Sequence, residues 1–87
     1  MPRDELQGIE CTWTHRQGQY LAFIYDYTKI NRRPPAEADI ARFFRVAPPS
    51  VHRMLIELER RNLLARVPGE ARSLRVLVSR AELPELE

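Results

Sequence analysis

Apolar positions along this chain fall into short runs, and the period of each run predicts an element. From His15 to Asn31 they stand at Tyr20, Leu21, Phe23, Ile24, Tyr27 and Ile30. Steps of three and four put them on one side of a helix, and a first helix is predicted over 15–30. Thr14 and Gln17 are spaced as a capping box: the threonine oxygen can accept from the Gln17 amide while the glutamine side chain reaches back. Asn31 is expected to take the left-handed C-terminal conformation before Arg32-Arg33-Pro34-Pro35 forbids continuation. Gly18 lies inside this helix and should weaken its first turns by about 1 kcal/mol relative to alanine.

A second, shorter helix is predicted after Pro34-Pro35, with Glu37 and Asp39 in its first turn, where the helix dipole favours negative charge. Ala38, Ile40, Ala41 and Phe44 are its expected inward residues. Arg45-Val46-Ala47 leaves room for a tight turn, and the chain then meets Pro48-Pro49. A proline drives its predecessor out of the α region and itself suits the first helical position. Pro48 is therefore expected to be extended, with a third helix starting at Pro49 and ending at Asn62. Val51, Met54, Leu55 and Leu58 form its inward stripe, while Ser50, Arg53, Glu57 and Arg60 face elsewhere. Two β-rich runs, 63–67 and 74–78, flank Pro68-Gly69, a pair suited to the middle of a type II turn. The fold class is mainly α with a small β-hairpin: a winged helix-turn-helix of three helices plus a two-stranded wing. It spans 14–80, between an N-terminal extension (1–13) and an acidic tail (81–87), and Ala41 is placed where the second and third helices cross.

Charge changes this picture. The net +2 is unevenly spread: residues 42–80 carry nine arginines against three acidic groups (+6), while 1–13 stand at −2, 14–41 at +1 and 81–87 at −3. Arginine's planar fork matches phosphate and guanine edges, so the basic segment favours a nucleic-acid partner. The remaining composition excludes more than it offers. A single cysteine, Cys11, allows no intrachain disulfide and reads as a small, partly buried apolar residue. The longest apolar run, 20–25, is too short for a membrane span and the N-terminus lacks the apolar core of a signal peptide, so the expectation is a cytoplasmic protein with no membrane partner. His15 and His52 are the histidines of the chain. No metal-ligand cluster, glycine-rich phosphate cradle or carboxylate pair is evident, and neither an enzyme, a metal nor a cofactor is expected.

The stretches "THRQGQYLAFIYDY", "RRPPAEADIARFF", "PPSVHRMLIELERRNLL" and "ARVPGEARSLRVLV" together resemble the N-terminal DNA-binding domain of LexA-type repressors over residues 14–78. The third stretch is also similar to the recognition helix of MarR-type and iron-dependent repressors. Three features depart from the LexA pattern. Ala36 stands where a threonine cap is usual, Arg45 where glycine is common in the turn, and the helix-turn-helix connection is one residue shorter. No counterpart of the LexA peptidase domain is expected, and the resemblance implies nothing about self-cleavage.

The resemblance implies a sequence-specific regulator of transcription, bacterial or phage, with the third helix in the major groove of double-stranded DNA and the second helix and wing on phosphates. Arg53 is then the leading base-reading candidate, with Ser50 and His52 behind it, and Pro49 offers apolar surface to a thymine methyl. Arg45, Arg66, Arg72 and Arg75 are candidates for the DNA backbone. A merely solvated Arg53 and an idle Arg72 are the alternatives. Because Pro48-Pro49 delete two helix amides, side chains must do the phosphate work. A homodimer is expected, since one recognition helix reads only a few base pairs. A winged-helix protein-interaction or replication accessory module is the other reading, with Leu6, Ile9, Cys11, Trp13 and the acidic tail as docking segments.

Overall fold

Thr14 begins the first helix as its spacing requires: its Oγ1 accepts from the Gln17 amide (3.1 Å) and Gln17 Oε1 accepts from the Thr14 amide (3.0 Å). The computed structural model describes residues 13–87, so Leu6, Ile9 and Cys11 lie outside the described residues. Helix α1 runs His15–Asn31, α2 Glu37–Phe44 and α3 Pro48–Arg60. They are followed by an antiparallel hairpin of β1, Leu64–Ala65, and β2, Arg75–Val76, with Leu64 opposite Val76 and Ala65 opposite Arg75. A 3₁₀ turn, Arg80–Glu82, follows. Three helices and a two-stranded wing are the expected winged helix-turn-helix. No helix among the described residues is long and apolar enough to cross a membrane.

Helix ends differ from expectation by one or two residues, for local reasons. Asn31 remains helical, and Arg32 takes the left-handed cap (φ 62°, ψ 22°). The Asn31 side chain instead donates back to the Tyr27 carbonyl (3.0 Å), and the restriction imposed by Pro34 falls on Arg33. Pro48 is not extended. It is the first residue of α3, Pro49 the second, and the extended residue is Ala47 (φ −72°, ψ 146°). Both prolines thus occupy positions whose amides have no partner inside a helix. Ser50, third in line, already donates to the Ala47 carbonyl (2.9 Å). That accounts for α3 beginning without a capping side chain. At its other end Asn62 is left-handed (φ 60°), Leu63 donates to the Leu58 carbonyl (3.0 Å) and Asn62 to that of Glu59 (3.0 Å). These bonds form a Schellman motif, closed by the buried pair Leu58 and Leu63.

The core is built from one side of each element. Tyr20, Leu21 and Ile24 of α1, Ile40 and Ala41 of α2, Val51, Leu55 and Leu58 of α3, and Leu63, Leu64 and Leu74 around the hairpin are all buried. Each large side chain contributes roughly 1.5–3 kcal/mol of burial. Phe44 stacks on Tyr20 (centroids 4.4 Å apart) and Phe43 on Phe23 (4.4 Å), fastening α2 to α1, so the aromatic residues Tyr20 and Phe23 are core, as their spacing implies. Ala38 departs from expectation and is exposed. On an α-helix the residues three before Ile40 and four before Ala41 coincide at Glu37, so Glu37, not Ala38, shares the inner side.

Two features tie the ends of the chain to α1. The Trp13 indole lies so close to Gly18 that a Cβ there would sit 2.9 Å from its Nε1 and 3.1 Å from Pro84 Cγ. Gly18 therefore admits a close contact that outweighs its poor helix propensity. Residues beyond Arg80 are part of the packed structure: Leu83 is only 9% exposed, and buried Gln19 grips the backbone on both sides of Leu86. Its Nε2 donates to the Glu85 carbonyl (2.9 Å) and its Oε1 accepts from the Glu87 amide (2.8 Å).

Candidate nucleic-acid interface

The inward stripe of α3, Val51, Leu55 and Leu58, leaves Pro49, Arg53, Ile56 and Arg60 on the opposite side, at spacings of four, three and four. Pro49, His52, Arg53, Ile56 and Arg60 are exposed, and Ser50 is half-buried. Arg53 leans toward the start of the helix, its Nη2 3.5 Å from Ser50 Oγ. Arg45 ends α2 in a left-handed conformation (φ 56°, ψ 49°), because the Arg45 and Val46 amides both return to the Ala41 carbonyl. Arg45 thus holds, with a Cβ, the left-handed turn position where glycine is common, and its side chain is exposed.

The arginines of residues 42–80 are not equivalent. Arg45, Arg53 and Arg75 make no ion pair among the described residues, and Arg80 lies over the Tyr25 ring (5.8 Å). The other five bond carboxylates within the fold. Arg60 and Arg61 both bond Glu57 (2.7 and 2.8 Å), and Arg61 first, then Arg60, holds the Glu57 carboxyl below its ordinary range. Arg42 pairs with Asp39 (2.8 Å).

Two wing arginines are tied into the fold. Arg66 reaches Glu59 of α3 (2.7 Å) and Glu37 of α2 (3.2 Å), and Glu37 Oε2 also meets His52 Nδ1 (3.3 Å). Arg66 thus ties the wing to both helices of the helix-turn-helix, and His52 is turned toward Glu37. Arg72 reaches back to Asp39 (3.1 Å), the Pro34 carbonyl (3.3 Å) and Tyr27 Oη (3.4 Å). The Tyr27 hydroxyl first, and then Asp39, pushes the Arg72 pKa up. A guanidinium held this way braces the wing. The wing tip itself, Pro68-Gly69-Glu70-Ala71, carries a carboxylate. Its turn is the expected type II, with Gly69 at φ 80° and the Glu70 amide on the Val67 carbonyl (3.0 Å). Arg75 is exposed but lines a cleft of about 600 Å³ with Tyr25, Thr28 and Lys29 of α1, a cleft to which α3 contributes no residue.

Asp39 is the centre of the second brace. Ala36 has no capping oxygen, but Asp39 supplies the reciprocal half, its carboxylate accepting from the Ala36 amide (2.9 Å). That bond first, then Arg72 and Arg42, holds the Asp39 carboxyl below the usual aspartate range. Sequence reasoning missed Glu37 and Asp39 as partners of wing arginines because the contacts span 29 and 33 positions. It also passed over Ile56, although an isoleucine off the inward stripe of an amphipathic helix was a legible signal. Among the described residues no three His, Cys, Asp or Glu side chains converge on a metal position.

Residues 13–71 match the family described as iron dependent repressor, N-terminal DNA binding domain. The chain is 40% identical over 63 residues to a LexA repressor of Thermotoga petrophila, an alignment covering 72% of this chain and 32% of that protein. It is 38% identical over 63 residues to the LexA repressor of Thermotoga maritima (72% and 32%) and 36% identical over 69 residues to that of Thermosipho africanus (79% and 34%). The chain spans about a third of the length of these curated relatives.

Proposed function

This chain belongs to the family of iron dependent repressor N-terminal DNA binding domains, and from that premise we propose that it is a sequence-specific double-stranded DNA-binding module of a transcriptional regulator. The observation that supports this reading is that Arg53, on the outer side of α3, and Arg45, in the turn that precedes it, are both exposed and neither is neutralised by a carboxylate among the described residues. In this reading α3 enters the major groove, Arg53 bonds guanine O6 and N7, and Pro49 and Ser50 contact the neighbouring base edges. Arg45 grips a phosphate from the turn. Two of the first three amides of α3 are deleted by proline and the third is taken by Ala47, so the helix N-terminus supplies no anion site and the arginines must. The braces through Arg66 and Arg72 fix the wing against the helix-turn-helix, so that wing and α3 meet the duplex as one rigid surface. The described residues bring together no donor set of three His, Cys, Asp or Glu side chains for a metal ion. Two copies reading half-sites about one helical turn apart would multiply the modest specificity of a single helix.

The test is a binding selection on base-randomised duplexes, followed by titrations against salt. Counterion release makes log K fall with log salt by about 0.9 for each phosphate neutralised. Arg53→Ala should lose roughly 1–3 kcal/mol on the selected site and relax the choice of base at one position. Salt-independent binding, or an Arg53→Ala variant that ranks every sequence as the parent does, overturns the assignment. Sedimentation with and without the selected duplex tests the pairing of two copies.

A further inference from the structure

We propose that Ile56 reads the 5-methyl group of a pyrimidine in the major groove, next to the base that Arg53 bonds; this rests on the DNA-binding reading above. Ile56 is 45% exposed, as are or nearly so Phe43, Val67 and Leu77, but it alone of these stands on α3. An outward isoleucine does nothing for the helix, since β-branching lowers helix propensity below that of alanine. Nor do its long neighbours cover it. Arg53 leans toward Ser50 and Arg60 bonds Glu57 (2.7 Å). At about 100° of rotation per residue, Ser50 and Glu57 lie on the flank of α3 away from Ile56, so both arginine stems bend off it. The outer stripe is thus an apolar residue, a free cation and a second apolar residue: Pro49, Arg53, Ile56.

The one apolar group that a base pair offers in the major groove is the C5-methyl of thymine. A methyl at C5 of cytosine occupies the same place and has the same chemistry. Three residues of helix rise about 4.5 Å, and successive bases about 3.4 Å. A side chain three residues after Arg53 therefore meets the base pair one or two steps away. The aliphatic body of isoleucine can cover a methyl there and exclude water from it, whereas an unmethylated pyrimidine leaves the contact open.

The experiment uses the full chain on its selected duplex, with each thymine replaced in turn by deoxyuridine, which removes the methyl and nothing else. At one position the parent should lose about fourfold in affinity, the worth of one buried methyl group. Ile56→Ala should bind the thymine duplex about fourfold less tightly and show no further loss with deoxyuridine at that position. Cytosine and 5-methylcytosine placed at the same position distinguish the sources: recovery with 5-methylcytosine means the methyl alone is read, and failure to recover means that thymine is the ligand. A parent insensitive to deoxyuridine at every position, or an Ile56→Ala variant as sensitive as the parent, overturns the proposal while leaving DNA binding intact. If the parent binds no duplex, the function itself falls. The deoxyuridine series on the parent needs no variant to fold.

Discussion

Replacing Arg45 by glycine should stabilise the fold and weaken DNA binding at once, an outcome that separates a residue kept for its ligand from one kept for its structure. Arg45 sits at φ 56°, ψ 49°, the left-handed region where a side chain with a Cβ is disfavoured by roughly 1–2 kcal/mol. Glycine removes that penalty. It also frees the unfolded chain, which costs about 0.5–1 kcal/mol of the gain. The net expectation is a stabilisation of about 0.5–1 kcal/mol. For a domain of this size each kcal/mol is worth roughly 4–8 °C, so the melting temperature should rise by about 2–8 °C. The amide bonds from Arg45 and Val46 to Ala41 do not involve the side chain and survive the change. On DNA the same variant loses one phosphate contact, and the slope of log K against log salt should shrink by about 0.9. Thermal melting by circular dichroism and fluorescence anisotropy at several salt concentrations read both effects on one preparation. A variant that melts lower than the parent refutes the strain argument, and one that keeps the parent's salt slope refutes the phosphate contact.

Gly18→Ala should lower the melting temperature, because a Cβ 2.9 Å from the Trp13 ring and 3.1 Å from Pro84 costs about 1–3 kcal/mol of overpacking against about 1 kcal/mol of helix propensity gained; emission from Trp13, the one tryptophan in the chain, should shift with it. Arg72→Ala should melt below the parent yet leave the salt slope on DNA unchanged, since its fork is held by Asp39, Pro34 and Tyr27. Asp39→Asn should melt below the parent at neutral pH, with the difference shrinking in acid. The folded state holds this carboxyl below its ordinary value near 3.9, so its contribution is present above about pH 4 and is lost as the pH falls through the lowered value; melting curves from pH 7 down to pH 3 measure it.

What could be read without coordinates is local in origin. The Thr14–Gln17 capping box, the type II turn at Pro68-Gly69 and the left-handed turn residue Arg45 each depend on the preferences of a few consecutive residues. The 51, 55, 58 stripe depends on helical period alone, and with it the placement of Arg53 on the outer side of α3. These rules acted in concert at the start of α3, where Pro48 and Pro49 stand at positions whose amides are dispensable.

The tertiary structure decided the partners. Charge counting made Arg45, Arg53, Arg66 and Arg72 equivalent members of one basic segment, but Arg66 and Arg72 are bound to carboxylates that the fold brings from 29 and 33 positions away. The same holds for Gly18, whose use depends on Trp13 and Pro84, and for Gln19, whose buried amide grips the backbone of residues 85 and 87. The sequence by itself determined the elements, their order and the outward side of the recognition helix, because dihedral preference and periodicity act within a turn or two of chain. Which arginines remain available to a ligand was settled only on folding, because an ion pair depends on distance in space, and that distance does not exist until the helices and the wing have packed.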